Sequence, residues 1–183
     1  MNPRSQRHPI CDLHCDLLAY LAKQPNGHPA NTEDIGCAIP HLRDGGVKLQ
    51  VMAVYTAPGD DSVALAQRQV SLFAQLLREH AQAFASATTL EHAKRHLTGT
   101  QTGIVLSVES GSGLCTESEP LDEGLARLDQ IEAASERVIY VSLTHHGENR
   151  FGGGNACTVG LKADGRVLLD YVNGRGIAVD LSH

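Results

Sequence analysis

Four apolar runs, at residues 47–55, 103–108, 138–143 and 177–181, each preceded by a helical pattern and none tied to the next by a hairpin signal, constrain this chain most. Runs of that kind are buried on both faces, and strands that alternate with helices must be parallel, joined by right-handed crossovers. A shorter strand is expected to open the order at Cys11-Asp12-Leu13-His14-Cys15-Asp16. Between the strands, Pro40 to Gly46 reads as one helical turn with Pro near its start and Gly at its stop. Val63, Ala66, Val70, Phe73, Leu77 and Ala81 form one apolar stripe, capped by Asp60 or Asp61. Thr88 and Glu91 have capping-box spacing for a helix over 89–97. Leu121, Leu125, Leu128 and Ile131 mark the next helix, and a last one runs over 165–173 to the stop signals Gly174 and Gly176. The fold class is α/β, in one domain spanning residues 1–183.

What the strands carry at their C-terminal ends gives the order a chemical meaning. The first delivers His14 and Asp16, the third Glu109, the fourth His145 and the fifth His183. In a parallel sheet those ends share one rim, where such folds build their sites. Alternation along a strand puts His14 and Asp16 on one face and turns Cys15 away. A lone His-x-Asp is equally the pattern of a core histidine hydrogen-bonded to a neighbour; the agreement of several strand ends favours a metal site. Nitrogen from His with oxygen from Asp and Glu suits zinc or a similar divalent ion in a catalytic centre. Glu109 has two oxygens and can bridge two ions that share a hydroxide as nucleophile, which implies hydrolysis.

Composition removes several alternatives. A formal net charge of -6 without a Lys/Arg cluster argues against a nucleic acid or an anionic membrane as partner. No run approaches the roughly 18–20 apolar residues of a membrane span. Five cysteines without a Cys-x-x-Cys pair suggest free thiols in a reducing, cytoplasmic compartment. Gly152-Gly153-Gly154 lacks the ending of a P-loop and reads as a mobile loop, and Ser112 is not in a nucleophile elbow. His28, His41, His80, His92 and His96 fall in loops or on helices, where solvent exposure or capping is the default.

These residues resemble a known family. CDLHCDLL is similar to the His-x-Asp opening of the renal (membrane) dipeptidase family, the M19 metallopeptidases, although Asn is commoner there than Cys15. IPHLRDGGVKLQVMAVY resembles its second-strand region, IVLSVESG its bridging-glutamate segment, and VIYVSLTHHGEN its strand ending in a substrate-contacting His. GLKADGRVLLDYVNGRGIAVDLSH resembles the helix and strand leading to its first second-metal His. The resemblance implies a (β/α)8 TIM barrel with a binuclear zinc centre that hydrolyses dipeptides, often with a D-residue at the C-terminal position. It implies that His14 and Asp16 bind one zinc, Glu109 bridges, His183 binds the other, and His145 contacts the substrate or the tetrahedral intermediate. His146 has no match and is expected on the opposite side of the strand path, in a structural role.

A complete barrel takes about 250 residues, so the chain is expected to represent the first five β/α units, with the further His, an Arg and a late-strand Asp of the family lying beyond His183. It is therefore expected to be a truncated, N-terminal portion that holds one zinc better than two and offers open sheet edges for homo-oligomer formation. Two other functions remain: a non-catalytic metal-binding half-barrel module that needs a partner chain, and another amide or ester hydrolase of the same barrel superfamily.

Overall fold

The computed structural model describes residues 8–183. A sheet of parallel strands takes β1 (Ile10–Asp12), β2 (Val47–Tyr55), β4 (Thr102–Glu109), β5 (Val138–Ser142) and β8 (Ala178–Val179) in that spatial order, with β3 (Phe84–Ser86) also on β4. The long β4 is buried at every position. One of its edges meets β2, and the other meets β3 along residues 102–104 and β5 from Leu106 onward. Each long strand lies beside the next in sequence, with no reversal of order. Right-handed crossovers then put all helices on one face and curl the sheet into part of a barrel. Among the described residues β1 pairs only with β2, and β8 only with β5.

The helices are α1 (Leu17–Lys23), α2 (Ile39–Gly45), α3 (Ser62–Glu79), α4 (Leu90–Thr98), α5 (Leu121–Ser135) and α6 (Ala163–Gly174). Helix α2 has Pro40 in its first turn and ends on Gly46 at φ 78°, a left-handed turn that aims the chain into β2. Helix α4 is capped one residue later than the capping-box spacing suggests: Thr89 accepts from the His92 N–H at 3.1 Å, while Thr88 donates to Glu136. The core between helices and sheet includes Leu17, Leu18, Met52, Phe73, Ile104, Leu106, Leu128 and Leu168.

The buried face of α3 is rotated from the expected stripe. It comprises Ser62, Ala66, Gln69, Phe73 and Leu76. Gln69 is fully buried because it closes the end of β2: its Nε2 donates to Tyr55 O at 2.7 Å and its Oε1 accepts from Tyr55 N–H at 3.0 Å. Both backbone groups of the last β2 residue are thus satisfied by one side chain. His96 is buried as well, its Nε2 3.2 Å from Ser86 O and its ring against Gly103, where a Cβ would sit 2.6 Å from the imidazole.

The Gly-rich stretch after β5 is ordered by a two-stranded antiparallel hairpin, β6 (Glu148–Asn149) with β7 (Gly152–Gly153). Its strands are too short to carry a sequence period, which is why the segment reads as a loop. No helix among the described residues is long and apolar enough to cross a membrane.

Candidate metal centre

Strand β1 stops at Asp12, so strand alternation does not place His14 and Asp16. They meet because the chain turns from β1 into α1, with Asp16 as its N-cap residue. The Asp16 carboxylate makes no capping hydrogen bond; its Oδ1 lies 3.8 Å from His14 Nε2 instead. Cys15 points into the core.

The ring of His14 is fixed from behind. The Tyr140 hydroxyl donates to Leu13 O at 2.9 Å, so at the 2.9 Å contact with His14 Nδ1 it accepts. The proton therefore sits on Nδ1 and the Nε2 lone pair faces Glu109 Oε2, 3.5 Å away. Burial pushes the Tyr140 pKa up to about 12 and keeps its hydroxyl protonated.

Glu109 ends β4 with only 6% of its side chain exposed. Its Oε1 accepts from His183 Nε2 at 2.9 Å and lies 3.6 Å from His145 Nε2. Burial raises its pKa, with Asp16 adding to the rise while His14 and His183 oppose it. The next residue, Ser110, has φ 73°, a left-handed conformation that costs a non-glycine residue about 1 kcal/mol or more. The Ser142 hydroxyl, accepting from Ser110 N–H at 3.0 Å, helps to hold that turn.

His14, Asp16 and Glu109 offer ligand atoms that all lie within 4.8 Å of one another. An imidazole lone pair and two carboxylates facing one point repel unless a cation stands among them. Without a metal, a proton on His14 answers this charge: Asp16, then Glu109, hold the His14 pKa above its ordinary value, and His14 in turn holds Asp16 below its own. The donor set fits a divalent ion in place of that proton.

The structure also brings together His145, His146 and His183, whose ligand atoms again lie within 4.8 Å of one another. Here the expectation for His146 fails. Strand β5 ends at Ser142, so no alternation separates the two neighbours, and their ring centroids are 3.9 Å apart. Tyr55 OH is 3.4 Å from His145 Nδ1. Burial, followed by the adjacent His183 and His146, lowers the His145 pKa. Clefts of about 500 Å³ and about 430 Å³ open at Glu109, the first beside His14, Tyr140 and His183, the second beside Asp16, Lys23, Tyr55 and His145. The sequence reading passes over Tyr140, Tyr55 and Lys23; none stands at a spacing that marks it out.

A family model described as membrane dipeptidase, peptidase family M19, matches residues 3–183. Comparison with curated protein sequences gives no match. Among solved structures, the chain superposes on dipeptidase AC, described as a metallopeptidase of family M19, with a TM-score of 0.79 at 17% identity, covering 96% of this chain and 56% of that one. It superposes on a metallopeptidase from Rhodobacter sphaeroides, bound to a phosphinate mimic of the dipeptide L-Ala-D-Ala, with a TM-score of 0.77 at 16% identity, covering 96% of this chain and 58% of that one. The probable dipeptidase PvdM from Pseudomonas aeruginosa gives 0.70 at 16% identity, covering 94% of this chain and 46% of that one. At these identities the likeness is one of fold: the chain spans little more than half of the first two barrels.

Proposed function

Because the chain belongs to the membrane dipeptidase family, peptidase family M19, we propose that it carries a binuclear zinc centre for the hydrolysis of dipeptides. The observation that supports this reading most strongly is the setting of Glu109, whose Oε2 faces His14 Nε2 at 3.5 Å while its Oε1 meets His183 Nε2 at 2.9 Å. One zinc would be held by His14, Asp16 and Glu109, and a second by Glu109 and His183. When bound, such ions supply Lewis-acid polarisation of the scissile carbonyl and a nucleophile available at neutral pH.

The protein's own groups do the positioning. Tyr140 keeps the His14 proton on Nδ1 and Nε2 free for ligation. His145 is the residue proposed to meet the substrate. Its lowered pKa leaves it neutral at pH 7, so a nitrogen of its ring can hydrogen-bond an oxygen of the substrate amide. The Gln69 clamp on the Tyr55 backbone places the phenol beside His145. The cleft beside Asp16, Lys23 and Tyr55 has room for a dipeptide-sized ligand, with the Lys23 ammonium as a counter-charge for its carboxylate.

The test is hydrolysis of L-Ala-D-Ala and L-Ala-L-Ala by the purified, zinc-loaded protein. Release of free alanine is expected, abolished by a chelator, restored by zinc, and reduced at least ~100-fold in Glu109→Gln, where a shared charged ligand is lost. If chelator-sensitive cleavage appears only with cyclic amides or esters, the protein is a different hydrolase of the same barrel class. If neither class is turned over, the catalytic reading fails.

A further inference from the structure

The cleft of about 430 Å³ that opens at Glu109 and Asp16 is also walled by Tyr20, Lys23, Asp34 and Ile35. We propose that Asp34 determines specificity in this cleft, by pairing with a basic side chain on the C-terminal residue of the dipeptide. The inference deepens the reading above and rests on it for the placement of the substrate carboxylate at Lys23.

The first observation is how the Asp34 carboxylate is held. The Tyr20 hydroxyl donates to its Oδ2 at 3.0 Å, and Asn31 Nδ2 donates to the same oxygen at 2.8 Å. Asn31 is fixed in turn, because its Oδ1 accepts from the Glu33 N–H at 2.9 Å. Both donors meet Oδ2, so Oδ1 keeps its lone pairs for a ligand. A carboxylate oriented in this way takes up a cation with little further loss of side-chain freedom.

The second observation is the distribution of charge. Lys23 Nζ lies 5.4 Å from the centroid of the Tyr55 ring, and among the described residues it makes no ion pair with Asp34. The two opposite charges on the cleft wall are thus separately available. With ions bound by Asp16 and Glu109, Asp34 is the lining carboxylate that remains without a counter-charge. The third is the surface beside it. Ile35 and Tyr20 are half-buried and offer an apolar stretch along which a lysine or arginine side chain can lay its methylene stem, with its charge at Asp34. An acidic side chain in the same place would meet like charge.

The zinc-loaded full chain is assayed with Ala-Lys, Lys-Ala, Ala-Ala and Ala-Glu, each with an L- or a D-residue at the C-terminal position. kcat/KM for Ala-Lys is expected to exceed that for Ala-Ala by ~5-fold or more, as a partly screened charge pair gives, with Ala-Glu the poorest. In Asp34→Asn the advantage of Ala-Lys over Ala-Ala is expected to vanish. In Asp34→Lys the order of Ala-Lys and Ala-Glu is expected to reverse, a gain that misfolding cannot produce. Tyr20→Phe, which removes one of the two donors that position Asp34, is expected to reduce the same advantage part-way. Equal kcat/KM for all four dipeptides, a preference for Ala-Lys that survives in Asp34→Asn, or a preference for Lys-Ala over Ala-Lys would overturn the proposal. Calorimetric titration of the same dipeptides into the metal-stripped protein, where none is cleaved, reads the cleft apart from catalysis and is expected to give the same order of affinity. If that order is found and the zinc-loaded protein cleaves no dipeptide, the dipeptidase reading fails and the preference of the cleft stands.

Discussion

A carboxylate as buried as Glu109 survives in a core only where a positive group or a hydrogen-bond donor answers each of its oxygens. His183 answers one directly, and His14 stands opposite the other at a distance that leaves room for an ion. Behind His14, Tyr140 makes the tautomer choice, and its removal isolates that contribution. Tyr140→Phe is expected to keep the fold and to weaken metal binding at the His14 site by about 10- to 100-fold, read by competition with a coloured chelator. Unchanged affinity would show that the hydroxyl is a bystander. The same residue has a pH signature. With the folded pKa raised to about 12 from the ordinary 10.0, the unfolded chain ionises first, so stability is intact below pH 10 and is lost as pH rises through 12. In Tyr140→Phe this part of the alkaline loss is expected to disappear, as judged by denaturant midpoints between pH 9 and pH 12.

At the level of elements, short connections place the site as much as long strands do. Strands β2 and β4 were legible because each is an unbroken apolar run, and Glu109 was legible because it ends one of them. Strand β3 and the β6/β7 hairpin were not, since two or three residues cannot display a period. The pairing of His14 with Asp16 was anticipated for the wrong reason: a turn into α1 brings them together, not strand alternation. The clustering of His146 was hidden because it depends on a glycine seated against backbone. A Cβ on Gly154 would lie 1.7 Å from His145 O, so Gly154→Ala must push the hairpin off the His145-His146 segment. It is expected to destabilise the protein by about 1–3 kcal/mol in urea unfolding, and an unchanged midpoint would contradict this. Helix α3 makes the corresponding contribution for Tyr55. Gln69→Leu keeps the approximate volume but strands one buried N–H and one buried C=O, and is expected to cost about 2–4 kcal/mol in urea unfolding.

Across the whole molecule, the candidate ligands run from the turn after the first strand of the sheet to the segment that follows the last. His14 stands beyond β1, Glu109 ends the central β4, and His183 lies past β8. Bound ions would therefore tie together strands at opposite edges of the curled sheet and make folding and metal loading interdependent. That the half-barrel reads so clearly from sequence follows from its order: each long strand lies beside its successor, and their C-terminal ends converge without any topological switch. The edges of β1 and β8 that have no strand partner among the described residues, with Leu13 and Leu181 exposed nearby, are the surfaces on which self-association is proposed. The claim on which the rest depends is that Glu109 stands between two metal ions. Anomalous diffraction at the zinc edge from crystals of the zinc-loaded protein tests it most directly. Two peaks are expected, one on each side of the Glu109 carboxylate, the first in contact with His14 and Asp16 and the second with His183. Zinc bound elsewhere, with no peak within ligand distance of Glu109, would contradict it.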